Sequence, residues 1–298
     1  MPADQRAPGS PRPPRVGEGM GVGGAGDAPA PDGPSGGPTL WGIGVGPGDP
    51  ELITVKGLRL LQAADVVFLP VRRAGGRSYA GEIVAEYLAP ARQEIVPLVY
   101  PARRDTAAPE RQWARNADLI ADALAPDRLG VFLTEGDPLL YSTFVHALLP
   151  LRARHPHVRV GVVPGVWSGS AAAAALAEPL VDGQERLAVL PGLYSLADLR
   201  AVLEQFDTVV LLKPGRDLAA LQAAIAAGGA SAVWVRRVGR PEQAIVRDLA
   251  ALPAARPDYF SLLIVRRQPT QRTAPSPEPH AHPGRLGPGE NQEGDEPS

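Results

Sequence analysis

The chain has 298 residues, a formal net charge of −2 and a hydrophobic content of 44%. This length and apolar content predict one large or two ordinary globular domains, and the near-neutral charge gives no general attraction to nucleic acid or anionic membranes. Because the sequence contains no cysteine, disulfides, thiolate nucleophiles and thiolate metal sites are excluded. No apolar run reaches the roughly 18 residues that span a bilayer, and no signal-peptide pattern opens the sequence, so we expect a cytoplasmic protein without nucleic-acid or membrane partners.

The two ends of the sequence differ from its middle. Residues 1–38 and 268–298 are rich in proline and glycine and have few large apolar side chains. Such segments cannot bury enough surface to offset the entropy of ordering, so we predict disordered tails. Two histidines in the last tail, His280 and His282, have no third candidate ligand, and we predict no protein-bound metal. The residues between the tails are predicted to form two α/β domains, 39–164 and 165–267.

Strand and helix patterns alternate through the first predicted domain, which favours a mostly parallel sheet. Thr54 stands where a helix N-cap is expected, with Val55, Leu58 and Leu61 on one face of the following helix. The predicted strands are 40–45, 66–70, 94–99, 130–133 and 158–163. The predicted helices begin after Thr54, after Ser78, at Pro109 and at about Leu140, and the last carries Phe144, Val145, Leu148 and Leu149.

Three of these strands end in turns rich in glycine and proline: residues 44–50 (GVGPGDP), 134–138 (TEGDP) and 164–165 (PG). Ligands collect at the carboxyl ends of parallel strands, so we expect the turns to converge on a bound molecule. Any single turn could instead serve as a connection alone. The dinucleotide frame G-x-G-x-x-G fails, because the sixth position from Gly44 is Asp49. A nicotinamide-dependent oxidoreductase is therefore the weakest alternative.

The second predicted domain has an alanine-rich helix, short strands and two further helices. Its last two predicted strands are separated only by a loop, which allows an antiparallel pairing, and we expect a mixed sheet. The predicted strands are 186–190, 208–212, 232–235, 244–249 and 259–265, and the predicted helices are 168–177, 196–205 and 217–227.

The three turns, in this order and over residues 39–267, resemble the motifs of the tetrapyrrole (corrin/porphyrin) methylase family. The first continues as Glu51-Leu52-x-Thr54, the second as Tyr141-Ser142, and an alanine-rich helix follows the third. The resemblance implies two α/β domains with S-adenosylmethionine, the methyl donor, in a cleft between them. It also implies a homodimer.

Further residues resemble the branch of the family that methylates C20 of precorrin-2 or cobalt-precorrin-2 in cobalamin biosynthesis. They are Leu69-Pro70, Tyr100-Pro101, residues 133–144 and residues 259–263. The uroporphyrinogen branch typically has Tyr-Asp where this chain has Leu-Pro. Two alternatives stay open, another precorrin methyltransferase of the family and a non-catalytic protein that binds S-adenosylmethionine.

The resemblance also assigns site residues. Trp167 stands where the family usually has a small or hydroxylated residue. Asp137 and Asp49 are each candidates for holding their own turn by accepting hydrogen bonds from backbone N–H groups. Glu135 and Tyr141 are the candidates for proton transfer, whereas Ser142 is interpreted as structural and His146 as a packed helix residue. The predicted cofactor contacts are Pro47, Glu135, Gly136, Asp137, Leu140, Trp167, Ser168, Leu212 and Gly239.

Arginines supply nearly all of the basic side chains, since Lys56 and Lys213 are the only lysines. Arginine binds carboxylates in bidentate fashion, and the implied substrate carries acetate and propionate groups. The candidates follow the second and third strands, and a solvated loop face is the alternative for each of them. The predicted substrate-binding residues are Arg72, Arg73, Arg77, Arg103 and Arg104.

Overall fold

A computed structural model describes residues 37–101, 109–124, 128–192, 196–214, 218–248 and 258–267. The chain divides into two compact units, Met1–Trp167 and Ser168–Ser298. Arg103, Arg104 and almost all of both predicted tails lie outside the described residues. Within the described ranges, every helix is too short or too polar to cross a bilayer.

The first unit contains a five-stranded sheet in which every pairing is parallel. The strand order is β3-β2-β4-β1-β5, so all five carboxyl ends lie along one edge. The prediction of a mostly parallel sheet is confirmed. The strands are β1 Thr39–Gly44, β2 Val66–Val71, β3 Glu94–Val99, β4 Leu129–Thr134 and β5 Arg159–Val163.

Helices cover both faces of this sheet because its strands are apolar on both sides. One core cluster joins Phe68, Phe132 and Phe144, and a separate cluster contains Ile43 and Leu61. The hydroxyl of Thr54 accepts the Gly57 N–H at 3.0 Å, which confirms the predicted N-cap of the first helix. The helices of the unit are α1 Val55–Ala63, α2 Tyr79–Ile83, α3 Pro109–Leu124 and α4 Val145–Arg154.

The structure departs from the sequence pattern at Val55 and at the start of α4. Val55, placed on one face of α1 with Leu58 and Leu61, is 77% exposed, whereas Leu61 is buried. The helix expected from about Leu140 begins at Val145, because Tyr141 has a left-handed backbone (φ 51°) that cannot continue a helix. Leu149, on α4, is 51% exposed.

The second unit contains a mixed five-stranded sheet, as predicted. The strand order is β6-β7-β10-β8-β9, with β6 and β7 parallel and the other pairings antiparallel. The strands are β6 Leu187–Leu190, β7 Thr208–Leu212, β8 Ala230–Arg236, β9 Ala244–Val246 and β10 Ser261–Arg267, and the helices are α5 Ser168–Leu176, α6 Leu196–Gln205 and α7 Leu218–Ala227.

The antiparallel pairing that the loop between the last two strands would allow does not form, because β8 lies between them. In β10 the residues from Ser261 to Val265 are all buried, which suits a central position between β7 and β8. The three residues of β9 are only partly buried and form an edge strand.

Candidate functional site

The turns that follow β1, β4 and β5 lie side by side, because these strands are neighbours in the first sheet. The Val45 N–H donates to the Thr134 carbonyl at 3.0 Å, and the Gly136 N–H donates to the Gly46 carbonyl at 2.8 Å. The hydrogen-bonding between β1 and β4 therefore extends past the strand ends into the turns. The predicted convergence of the three turns is confirmed.

Glycine is required where the turns meet. A Cβ on Gly44 would lie 2.7 Å from the Gly165 Cα and closer still to the Gly136 carbonyl oxygen, and a Cβ on Gly165 would lie 2.7 Å from the Gly44 Cα. Gly46 and Gly136 also have positive φ angles, 81° and 67°. At Gly44 and Gly165 the missing side chain thus makes room for backbone of a neighbouring turn.

Asp137 joins the second turn to the third. Its Oδ2 accepts the Gly165 N–H at 3.0 Å, and its Oδ1 accepts the Leu139 N–H at 2.8 Å. Asp49 similarly accepts the Glu51 N–H at 2.9 Å and caps the short 3₁₀ helix Pro50–Leu52. Both aspartates therefore hold turns by accepting hydrogen bonds from backbone N–H groups, as predicted from the sequence.

The far end of the second turn is anchored by Ser142. Its hydroxyl accepts the Phe144 N–H at 3.1 Å and lies 2.9 Å from the hydroxyl of the buried Thr134. The Phe144 ring fills the space that a side chain on Gly42 would need. The structural interpretation of Ser142 agrees with these contacts.

The predicted cofactor residues of the first unit follow β1, β4 and β5. Pro47 is buried in the first turn, and Glu135 and Gly136 are partly buried in the second. Leu140 is 38% exposed. Trp167 is partly buried just after the third turn, and its Cα lies 3.8 Å from where a Gly136 Cβ would stand.

In the second unit Leu212 is the last residue of β7 and Gly239 follows β8, and both strands end where β10 begins. The Lys213 N–H donates to the Ser261 carbonyl at 3.0 Å, and the Arg237 N–H donates to the Phe260 carbonyl at 2.8 Å. The Gly239 N–H donates to Gln243 Oε1 at 2.8 Å. The two predicted residues therefore lie along one edge of the second sheet. The third predicted residue of this unit, Ser168, is the first residue of α5.

An ion pair at this edge had no signal in the sequence. The Arg237 Nε lies 2.5 Å from Asp258 Oδ2, and the Phe260 N–H donates to Asp258 Oδ1 at 3.2 Å. Burial raises the pKa of Asp258, but the hydrogen bonds from Arg237 and Phe260 outweigh it and hold the pKa below its usual value. Lys213 and Arg237 have left-handed backbone, with φ angles of 52° and 46°. The sequence could not predict this conformation, because lysine and arginine rarely adopt it.

Three of the predicted substrate-binding arginines surround an open pocket of about 1000 Å³ in the loop after β2. Arg72, Arg73 and Arg77 line it together with Val99 and Pro101 at the end of β3. All three arginines are exposed, and the Arg77 Nε pairs with the Glu82 carboxylate at 2.7 Å. Since β2 is hydrogen-bonded to β4, this loop and the second turn occupy adjacent positions on the carboxyl edge.

His146 stacks on Trp113, with ring centroids 3.9 Å apart and an interplanar angle of 13°. This contact between α3 and α4 confirms the interpretation of His146 as a packed helix residue. The described residues contain no group of three histidine, aspartate or glutamate side chains that could hold a metal ion.

The carboxyl edge of the first sheet has the features of a ligand-binding α/β protein. Its turns present backbone polar groups and apolar side chains, and the arginine loop after β2 lies to one side. The family model of the tetrapyrrole (corrin/porphyrin) methylases matches residues 39–253. The chain belongs to this family.

Curated relatives extend the match. The chain is 39% identical over 242 residues to the cobalamin biosynthesis protein CobIJ of Mycobacterium tuberculosis, covering 76% of this chain and 46% of that protein. It thus spans about half the length of that relative. It is 37% identical to a precorrin-2 C(20)-methyltransferase of Sinorhizobium, covering 76% of this chain and 94% of that protein. With a cobalt-precorrin-2 C(20)-methyltransferase of Salmonella typhimurium it shares 33% identity, over 77% of this chain and 96% of that protein.

Among solved structures, the fold is similar to that of uroporphyrin-III C-methyltransferase from Thermus thermophilus in complex with S-adenosyl homocysteine. The TM-score is 0.53 and the sequence identity 26%, over 76% of this chain and 97% of that chain.

Proposed function

We propose that this chain transfers a methyl group from S-adenosylmethionine to C20 of precorrin-2, or of its cobalt-containing form, in cobalamin biosynthesis. The observation that carries the proposal is the convergence of the turns after β1, β4 and β5. Two relatives named for this reaction, matched over 94% and 96% of their length, support the choice of substrate.

The side chains of the turns suit the proposed cofactor. Pro47, Leu140 and Trp167 supply apolar surface for the nucleoside, and the Glu135 carboxylate can accept hydrogen bonds from hydroxyl groups. The role proposed for Asp137 is indirect, because both of its oxygens already accept N–H groups of the turns. Ser168, Leu212 and Gly239 of the second unit stay predicted cofactor contacts.

When bound, S-adenosylmethionine supplies an electrophilic methyl group, which the nucleophilic C20 carbon takes in an in-line displacement. The chain has to orient the two reactants and keep water away, and this requires no covalent intermediate. The C20 proton leaves after the transfer, and Glu135 and Tyr141 are the proposed groups for receiving it. The absence of cysteine from the sequence is compatible with this mechanism.

The arginine loop is proposed to bind the carboxylates of the tetrapyrrole. Arg72, Arg73 and Arg77 can donate bidentate hydrogen bonds to acetate and propionate groups. Arg77 would exchange its contact with Glu82 for one with substrate. Arg103 and Arg104, outside the described residues, stay candidates for the same role, and we also propose a cytoplasmic homodimer on the family resemblance.

The test is incubation of the purified protein with S-adenosylmethionine and enzymatically prepared precorrin-2, with and without cobalt, followed by mass spectrometry. A single added methyl group, located at C20 by NMR, is the expected result. Comparing the two substrates identifies which form is used. A methyl group at another carbon would favour another precorrin methyltransferase.

Trp167 favours a second candidate function, in which the protein binds S-adenosylmethionine but catalyses no methyl transfer. An indole replaces the small residue usual in the family, next to the backbone of Gly136. Calorimetry with S-adenosyl homocysteine separates the two candidates when it is combined with the product assay. Tight binding without product on any tetrapyrrole would support the second candidate.

A further inference from the structure

The second turn presents three consecutive apolar side chains to solvent. Leu139 is 57% exposed, Leu140 is 38% exposed and Tyr141 is 51% exposed. Large apolar side chains that are exposed together in a soluble protein mark a contact site more often than isolated ones do.

These residues are held rigidly at both ends. Asp137 fixes the start of the segment through the N–H groups of Leu139 and Gly165. Ser142 fixes its end through Thr134 and the Phe144 N–H. The exposure of residues 139–141 is therefore imposed by the anchored turn.

Tyr141 adopts a conformation that is unfavourable for a residue with a Cβ. Among the described residues, the non-glycine residues with positive φ are Tyr141, Ala177, Lys213 and Arg237. Ala177 is accounted for by the end of α5, where the Ala177 N–H donates to the Ala174 carbonyl. At Tyr141 a glycine would remove the strain, so the aromatic side chain is kept there at an energetic cost, which points to a function of the ring.

The position of the segment along the sheet edge indicates its ligand. On one side of β4 lie β1 and β5, whose turns contain proposed cofactor residues, and on the other side lies β2 with its arginine loop. A tetrapyrrole has an apolar macrocycle and a rim of carboxylates. An apolar segment next to an arginine loop is complementary to both parts.

We propose that Leu139 and Tyr141 form the contact surface for the face of the tetrapyrrole macrocycle, with the Tyr141 ring stacked on it, while the arginine loop binds the rim. This inference rests on the proposed function and extends it. The turn after β4 would then bind both reactants, the cofactor through Glu135, Gly136 and Leu140 and the substrate through Leu139 and Tyr141.

The experiment measures the affinities of Tyr141→Gly and Leu139→Ala for two ligands, S-adenosyl homocysteine and the oxidised, air-stable form of precorrin-2. Leu149→Ala is the matched control, because Leu149 is also 51% exposed but lies on α4. We expect Tyr141→Gly to weaken tetrapyrrole binding about tenfold and to leave cofactor binding within about twofold of wild type. Its melting temperature should equal or exceed that of wild type, because the backbone strain is removed.

Unchanged tetrapyrrole affinity in both variants, with binding by wild type intact, would overturn the inference alone. If the variants instead changed the sedimentation behaviour without changing tetrapyrrole affinity, the segment would be a contact between two copies of the chain. Wild-type protein that binds no tetrapyrrole would overturn the proposed function together with the inference.

Discussion

The carboxyl edges of the two sheets make sharp turns with different residues. In the first unit the backbone takes positive φ at Gly46 and Gly136, two residues after β1 and β4, and further along at Tyr141. In the second unit the residues directly after β7 and β8, Lys213 and Arg237, take positive φ, and Gly239 follows them. Left-handed backbone is free of steric cost for glycine but costs about 1–2 kcal/mol for other residues. Glycine thus accommodates the positive φ just after β1 and β4, whereas the positive φ of Lys213 and Arg237 must be held by the surrounding contacts.

The contacts that hold the second edge come from the start of β10. Lys213 and Arg237 each donate a backbone N–H to this segment, to the carbonyls of Ser261 and Phe260. The side chain of Arg237 also pairs with Asp258, just before the strand. Substitutions at the two edges should therefore have opposite patterns, with glycine essential at the first and tolerated at the second.

The largest effect is expected for Gly165→Ala. The new Cβ would meet the backbone of Gly44 and Gly136, which cannot move without separating the turns. We expect a loss of about 3 kcal/mol in the free energy of unfolding, measured by urea denaturation, and a loss of cofactor binding. Gly192→Ala is the control, because nothing lies within 4 Å of its added Cβ. Equal stabilities for the two variants would contradict the packing described for the turns.

Asp258→Ala should have an intermediate effect. Removing the carboxylate leaves the partly buried Arg237 without its ion pair, and we expect a loss of about 1–2 kcal/mol in the free energy of unfolding at pH 7. Because the pKa of Asp258 is lower in the folded protein, its contribution is present above about pH 4 and is lost as the pH falls through the folded-state pKa. The stability difference between wild type and variant should therefore shrink below about pH 4. If the difference in the free energy of unfolding between wild type and Asp258→Ala stayed constant down to pH 2, this would argue against the ion pair.

Arg237→Gly tests the same ion pair against the backbone strain. It removes the guanidinium but also relieves the positive φ angle of 46°, so we expect it to cost about 1 kcal/mol less than Asp258→Ala. Thermal unfolding of both variants at pH 7 provides the measurement. If Arg237→Gly proved the more harmful, the strain at this position would be negligible.

The smallest effect is expected for Lys213→Gly, which should stabilise the protein by about 0.5–1 kcal/mol. Relief of the strained backbone outweighs the lost contact of the ammonium group with the Tyr259 ring, whose centroid lies 4.2 Å from Nζ. Lys213→Ala is the matched control, since it loses the same contact but keeps the strain. Urea denaturation should rank the glycine variant above wild type and the alanine variant below it. The opposite order would show that the ammonium contact dominates.

The sequence by itself determined the elements of the first unit and the convergence of its turns. Strand and helix positions follow from apolar patterns and from caps such as Thr54, which act over a few residues. The three turns were predicted to meet because alternating strands and helices give a parallel sheet, whose carboxyl ends share one edge.

Only the tertiary structure decided the start of α4, the pairing of β10 and the left-handed residues at the second edge. The chain after Leu140 is apolar enough for a helix, but the anchors at Asp137 and Ser142 hold it in a turn. β10, whose first five residues are all buried, lies between β7 and β8, although β9 directly follows β8 in the sequence. These features depend on contacts between residues distant along the chain, which local sequence patterns do not predict.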